Sequence, residues 1–149
     1  MSRELAHVNI ATMRWPADDP RMAGFYDNVP AMNALAESSP GFVWRLTDAE
    51  EEARAATLFG DPRLIIALSV WESVEALEQF VYRSAHGGYL RQRTSWFEPR
   101  QGPNKALWWV EPGVRPTIHD AKHRIEWLAL NGPGEFAFGF SKHRAQEAG

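Results

Sequence analysis

His86 is the first candidate for a catalytic residue. An imidazole titrates near pH 6.5, so His86 could act as a general base, or it could be the axial ligand of a heme iron. It follows a predicted helix over residues 74–85 and precedes Gly87 and Gly88. A histidine at a helix end also commonly bonds the last carbonyl groups of that helix, and this structural interpretation stands beside the catalytic one.

Asn9 is the second candidate, because it is a polar residue in an apolar stretch. Residues 5–13 alternate as a strand does, with Val8 and Ile10 on one face and His7 and Asn9 on the other. A buried amide needs hydrogen-bond partners. Either a ligand or a protein group could supply them to Asn9.

Aromatic side chains could form the walls of a site around these polar groups. The chain has eight Phe, seven Trp and three Tyr, and Trp71, Tyr82 and Trp44 are candidates to hold a flat substrate away from water. Ordinary packing in the core or at a subunit interface is the alternative for each. Arg45 lies among apolar neighbours, so it would stabilise an enolate or carboxylate if it faced the cavity, and would otherwise form an outward salt bridge.

Other chemical motifs are weak or missing. His119, His123 and Glu126 share a helical face and could ligate zinc, but a solvated helix face is the favoured interpretation, and no metal is predicted. The absence of cysteine excludes disulfides, thiol nucleophiles and thiolate metal sites. The sequence shows no phosphate-binding loop, dinucleotide fingerprint or nucleophile elbow.

The composition is that of one globular domain. The 149 residues are 44% hydrophobic and 23% charged, which predicts a single domain over 1–149 with a core at 5–140 and a polar tail at 141–149. The net charge of −3 and the lack of a basic cluster argue against a nucleic-acid partner. No apolar run reaches the roughly 18 residues of a membrane span, and no signal-peptide core is present. The expected location is therefore the cytoplasm, without membrane contact.

The predicted strands and helices that must position these residues alternate along the chain. Asp19 and Pro20 begin the first helix, in which Pro30 predicts a kink or break. Residues 47–62 are predicted to be an exposed hairpin connection, part of which could extend a strand, and Thr117-x-x-Asp120 to open the last helix as a capping box. The predicted strands are residues 5–13, 42–46, 64–71, 106–110 and a short final one through Phe136, Phe138 and Phe140.

This order predicts an α+β fold: a ferredoxin-like βαββαβ arrangement with an added C-terminal helix and strand. The helices would cover one face of an antiparallel sheet. Because the strands are apolar on both sides, the other face must also be covered, and a second subunit could do this. We therefore expect a homodimer, in which the two sheets form a dimeric α/β barrel with a cavity in each subunit.

Several segments have a specific residue pattern. They are Ser39-Pro40-Gly41-Phe42-Val43-Trp44-Arg45-Leu46, Ser69-Val70-Trp71-Glu72-Ser73, Phe80-Val81-Tyr82-Arg83-Ser84-Ala85-His86 and Leu107-Trp108-Trp109-Val110. They resemble the bacterial domain-of-unknown-function 3291 family, over about residues 5–140. That family is similar to the dimeric α/β-barrel superfamily, which includes antibiotic-biosynthesis monooxygenases and heme-degrading monooxygenases.

The resemblance implies cofactor-independent oxygenation, or a related proton transfer such as cyclisation, on a small apolar or aromatic molecule. Such an enzyme would be an oxidoreductase of secondary metabolism and would need no cofactor. His86 would be the base, Asn9 would orient substrate or oxygen, and Trp71 and Tyr82 would form the pocket wall. A heme-binding or heme-degrading protein is one alternative, although the heme ligand of such relatives falls about one turn later, near Leu90. A non-catalytic dimer that binds a small ligand is the other.

Overall fold

The computed structural model of the protein describes residues 3–86 and 93–140, with side chains described for 3–84 and 95–140. The strands are β1 (Glu4–Thr12), β2 (Phe42–Arg45), β3 (Leu64–Trp71) and β4 (Lys105–Val110). The helices are α1 (Ala23–Ser38), α2 (Ala49–Phe59), α3 (Val74–His86), α4 (Arg93–Trp96) and α5 (Ile118–Asn131).

The four strands form one antiparallel sheet in the order β2-β3-β1-β4. β1 lies at the centre, paired with β3 on one side and with β4 on the other. This order and the positions of α1 and α3 confirm the predicted α+β, ferredoxin-like fold. α1 continues through Pro30 as one helix, so the alternative of two short helices is wrong.

The residues 47–62 depart from the prediction, because α2 lies where an exposed connection was expected. Asp48 caps the helix by accepting hydrogen bonds from the backbone N–H groups of Glu50 and Glu51, at 2.9 and 3.3 Å. Gly60 ends it in the left-handed region, with φ at 70°. The acidic run that resembled a solvated turn is therefore the first turn of a helix, where negative charges are favoured by the helix dipole.

α2 and α5 together cover one face of the sheet. Val8, Ile10 and Trp108 on this face are at most 1% exposed, and they form one cluster with Ala55 of α2 and Ile125 of α5. The face that was expected to require a second subunit is thus covered within the chain. A homodimer stays a prediction, but the bare sheet face no longer supports it.

α1 and α3 pack on the opposite face. Leu5, Trp71 and Leu107 of the sheet are at most 1% exposed there and join Ala36 of α1 and Leu77 of α3 in a second cluster. This is the face to which the alternation of β1 assigns His7 and Asn9.

The C-terminal part of the described chain contains one confirmed and one wrong prediction. The capping box is present: Thr117 accepts from the backbone of Asp120 at 3.1 Å, and Asp120 accepts from that of Thr117 at 2.9 Å. The final strand is reduced to an isolated bridge between Phe138 and Leu107. Within this segment the backbone N–H of Gly134 donates to the carbonyl of Ala137 at 2.9 Å, and the carbonyl of Phe136 accepts from Arg124 of α5 at 2.8 Å.

Gly41 gives a test of how closely the turn before β2 packs on α3. Its φ is +84°, and an added Cβ would lie 2.5 Å from the Cβ of Ala76. Gly41→Ala should therefore lower the free energy of unfolding by about 2 kcal/mol, through backbone strain and overpacking together. Gly60→Ala is the matched control, since its φ of +70° is strained but no atom of the described residues would lie within 4 Å of the added Cβ. Urea unfolding of both variants should show the larger loss for Gly41→Ala, and equal losses would disprove the packing argument.

Candidate functional site

A row of polar residues crosses the sheet face that α1 and α3 cover. On β1, His7 lies opposite Ser69 of β3, and Asn9 lies opposite Ala67 of β3 and Lys105 of β4. Directly opposed residues of antiparallel strands point to the same face. Ala67 is exposed, so the two helices do not seal the middle of this face.

The side-chain oxygen of Asn9 has no hydrogen-bond donor among the residues that the structure describes. Its Oδ1 is buried, and no group in the described part of the chain donates to it. A buried acceptor without a donor destabilises the folded state by about 1–3 kcal/mol, and such an arrangement is uncommon in folded proteins. A ligand with an O–H or N–H group would satisfy this oxygen.

Lys105 is the immediate neighbour of Asn9 across the sheet. The backbone N–H of Ile10 donates to the carbonyl of Asn104 at 2.8 Å, which makes Asn9 and Lys105 a non-hydrogen-bonded pair. Side chains in such pairs lie closer together than those in hydrogen-bonded pairs. The side chain of Lys105 therefore begins next to that of Asn9, and its positive charge acts on the neighbouring His7.

The imidazole of His7 is kept neutral in this environment. Burial lowers the pKa of His7 to about 3, and the charge of Lys105 acts in the same direction. Because a proton is held only weakly, His7 cannot act as a base near neutral pH, but its neutral ring can donate and accept hydrogen bonds. Its ring also lies 6.5 Å from that of Phe140.

Two aromatic clusters flank the polar row along the strands. At one end, Trp71 stacks on Phe80 at 5.2 Å and meets the edge of Phe42 at 5.4 Å. At the other end, Phe25 makes edge contacts with Trp96 at 5.8 Å and with Phe97 at 5.0 Å. The polar residues thus lie between two apolar walls, as in many sites for small organic molecules.

Trp71 is placed as a core residue. It is 1% exposed, and its Nε1 donates to Ser69 Oγ at 3.0 Å. It lies on the same face as Asn9, but its strand partner Leu5 is four residues from Asn9 along β1. These contacts are those of a packed core residue, and the role of Trp71 as a pocket wall stays a proposal.

The other predicted wall residues lie away from Asn9. Trp44 pairs with Val70 and packs on the α2 and α5 face, so the prediction of a shared pocket is corrected for it. Tyr82 is 61% exposed, which leaves its ring in solvent rather than around an enclosed ligand. Arg45 lies opposite Ser69 but donates to Glu37 Oε2 of α1 at 2.8 Å, which is the outward salt bridge of the two alternatives.

The predicted base cannot be located relative to Asn9. His86 is the last residue of α3, but its side chain lies outside the described residues, as do Gly87 and Gly88. His86 therefore remains a proposal, both as a base and as a heme ligand. On α5, His123 contacts the ring of Phe136 at 5.0 Å and Glu126 accepts from Lys122 at 2.8 Å, and no cluster suited to a metal ion occurs within the described ranges.

Sequence reasoning did not single out His7 or Lys105. Alternation placed His7 on the face of Asn9, and two polar residues two positions apart in an apolar strand were an available signal. Lys105 gave no comparable signal, because its proximity to Asn9 depends on the register of β1 with β4. Over the described ranges, no helix is both long and apolar enough to cross a membrane.

The family model described as a domain of unknown function (DUF3291) matches residues 4–149. The chain therefore belongs to this family, which confirms the resemblance. No curated protein matches the sequence.

The chain is similar to several solved structures at low sequence identity. A candidate antibiotic biosynthesis monooxygenase from Nitrosomonas europaea is 11% identical, with a TM-score of 0.50 over 78% of this chain and 96% of that one. SnoaB, a cofactor-independent oxygenase from Streptomyces nogalater, is 18% identical, with a TM-score of 0.44 over 78% and 97%. A monooxygenase from the gene ActVA-Orf6 of Streptomyces coelicolor, solved with Nanaomycin D, is 17% identical, with a TM-score of 0.42 over 78% and 94%. At these identities the likeness is one of fold.

Proposed function

We propose that this family member binds a small, largely apolar molecule on the sheet face between α1 and α3, and that it carries out cofactor-independent oxygenation or a related proton transfer there. The observation that carries the proposal is the buried Oδ1 of Asn9, which has no donor among the described residues. The oxygen is next to an open part of the sheet and lies between two aromatic clusters. The shared fold with the Nitrosomonas europaea protein agrees with oxygenation chemistry.

In this proposal Asn9 holds the enol form of the substrate. A hydroxyl group of the enol donates to Asn9 Oδ1 and so orients the substrate. The base then takes up this same proton, and Lys105, on the same sheet face, would supply a positive charge for the enolate that results. The carbanion character of the enolate lets O2 accept an electron, and recombination forms a C–O bond. The peroxide formed at an activated methylene carbon would then lose water, so that one methylene group and one O2 molecule give one ketone carbonyl and one water molecule.

The base in this sequence of steps is proposed to be His86. Among the described residues of the face, His7 has a pKa of about 3 and so is too weakly basic to take up the proton at neutral pH. The ring of His7 would instead form hydrogen bonds as a neutral group. His86 enters the proposal from the sequence alone.

A non-catalytic binder is the second candidate function, and the lowered pKa of His7 favours it. If no base reaches the ligand, the site binds without turnover. Such a protein would gain thermal stability with a ligand in proportion to ligand occupancy, and it would release no product. A measurement of turnover distinguishes this binder from the enzyme.

Asn9→Leu is expected to have opposite effects on stability and function. The leucine removes the acceptor without a donor and keeps a similar side-chain volume, so the free energy of unfolding should rise by about 1 kcal/mol. Binding and turnover of a planar acid with an activated methylene group should fall about tenfold, because one hydrogen bond to the ligand is lost. Anthrone is a suitable probe, with O2 uptake and anthraquinone formation as the measurements.

The control is Asn131→Leu, at the exposed end of α5, where the amide donates to the carbonyl of Trp127 at 2.9 Å. It should leave turnover unchanged. Full turnover by Asn9→Leu, or a less stable Asn9→Leu protein with unchanged ligand affinity, would count against a ligand-binding role for Asn9. Binding that depends on Asn9 with no O2 uptake would favour the binder over the enzyme.

A further inference from the structure

A groove of about 310 Å³ lies at the end of the sheet, where β1 extends beyond β4. β1 continues by bonding to the segment before β4: Arg14 N–H donates to the carbonyl of Trp96 at 2.8 Å, and Glu98 N–H donates to that of Thr12 at 2.9 Å. The lining includes Ala11, Arg14, Phe97, Pro99, Arg100 and Asn104. These hydrogen bonds fix the backbone on both sides of the groove, in β1 and in the segment before β4.

The charges in the groove favour an anion. Arg14 and Arg100 both line it, and no carboxylate of the described chain lies within ion-pair distance of Arg100. Glu98 also lines the groove, but its carboxylate lies 3.4 Å from the guanidinium of Arg63. The groove is therefore locally positive in a chain whose net charge is −3.

The same groove has an apolar wall. Phe97 is held by an edge contact with Phe25 at 5.0 Å, and Pro99 continues the surface. Arginine pairs favour carboxylates, because the guanidinium can donate two parallel hydrogen bonds. An apolar wall next to two arginines fits a carboxylate attached to an apolar body.

The groove also adjoins the polar row of the candidate site. Ala11 lines the groove and lies two residues after Asn9 on the same face of β1, which corresponds to about 7 Å along the strand. Lys105, which follows the lining residue Asn104, is paired with Asn9 across the sheet. A ligand of two fused rings would span this distance.

We propose that the groove binds the carboxylate of an organic anion through Arg14 and Arg100, while the apolar body of the anion extends along Phe97 toward Asn9. This inference rests on the proposed function and adds the charge of the ligand to it. It assigns Arg14 and Arg100 as the residues that select an anionic ligand over a neutral one of the same shape.

The test compares 2-naphthoate with 2-naphthamide by titration calorimetry. The two probes have the same ring system, and only the first is charged. The wild-type protein should bind 2-naphthoate about tenfold more tightly, since hydrogen bonds to charged groups exceed neutral ones. Arg14→Gln and Arg100→Gln should each reduce this preference, and added salt should reduce it in the wild type. Arg100 is exposed, so its variant should fold normally.

Arg115→Gln is the matched control, because Arg115 is exposed and lies over the ring of Trp44 on the other side of the sheet. It should keep the full preference. Equal affinity for both probes, binding of neither at millimolar concentration, or a preference that survives in the Arg14 and Arg100 variants would overturn the inference. If both probes bound with equal affinity but Asn9→Leu weakened the binding of both, the groove inference alone would fail. If the charge preference held while Asn9→Leu changed nothing, the role of Asn9 would fail instead.

Discussion

Acidification from pH 7 to pH 4.5 is expected to lower the free energy of unfolding by about 2 kcal/mol through His7 alone. The unfolded chain takes up a proton at this histidine as the pH falls through 6.5, whereas in the folded state the pKa of His7 is about 3. Since the unfolded state binds more protons in this window, stability is fully present above pH 6.5 and is lost as the pH falls toward 3.

The size of this effect follows from the separation of the two pKa values. The complete shift corresponds to at most about 5 kcal/mol at 1.4 kcal/mol for each pH unit. The accessible part of the His7 side chain reduces this, so about 2–4 kcal/mol is expected over the whole window. Measurements above pH 4.5 avoid most of the titration of carboxylates.

His7→Gln provides the comparison, because glutamine keeps hydrogen-bonding capacity but does not titrate. Urea unfolding of both proteins at several pH values should show a steeper decline for the wild type, and the difference between the two curves isolates His7. An NMR titration of the wild type should show the His7 ring neutral at pH 5. Parallel stability curves for the two proteins would mean that His7 has an ordinary pKa in the folded state.

The faces of β1 and the start of α5 were predictable, because they depend on local alternation and on cap residues. His7 and Asn9 share a face in the sequence pattern and in the structure, and Thr117 caps α5 as its spacing with Asp120 indicates. These features need only a few neighbouring residues, so the sequence contains the information directly.

The position of Trp44 could not be predicted, because it depends on a bulge. Phe42 pairs with Trp71 and Arg45 pairs with Ser69, so β2 uses one residue more than β3 over this span. The extra residue changes which side chains share a face. Trp44 consequently packs away from Asn9, whereas Arg45 is placed on the row of Ser69 and His7.

The sequence did not predict that α2 covers one face of the sheet, and the reason is related. The segment that became α2 has four carboxylates near its start, and this hides the inward-facing Ala55, which is fully buried. Its inward face packs against β3, which follows it directly, and against α5, which is distant in the sequence. The groove at Arg14 and Arg100 also forms by contacts between distant segments, and local patterns do not predict such sites.

Trp71→Ala is expected to have the largest effect on stability, a loss of about 3–5 kcal/mol. The ring is 1% exposed, stacks on Phe80 and meets Phe42, so its removal leaves a cavity between the sheet and α3. Trp71→Phe should lose less, about 1–2 kcal/mol, because it keeps an aromatic ring but removes the Nε1 hydrogen bond to Ser69. Urea unfolding measures all of these variants.

Tyr82→Ala is the control for Trp71, since both residues were predicted to form the pocket wall. Tyr82 is 61% exposed, and its truncation should change stability by no more than about 0.5 kcal/mol. A loss below about 1 kcal/mol for Trp71→Ala would contradict close packing, and would instead indicate a ring that borders an open cavity. In that case Trp71→Ala should still bind anthrone, but with altered affinity. If the ring of Trp71 is closely packed, anthrone binding by Trp71→Ala should fall only in proportion to the fraction of folded protein.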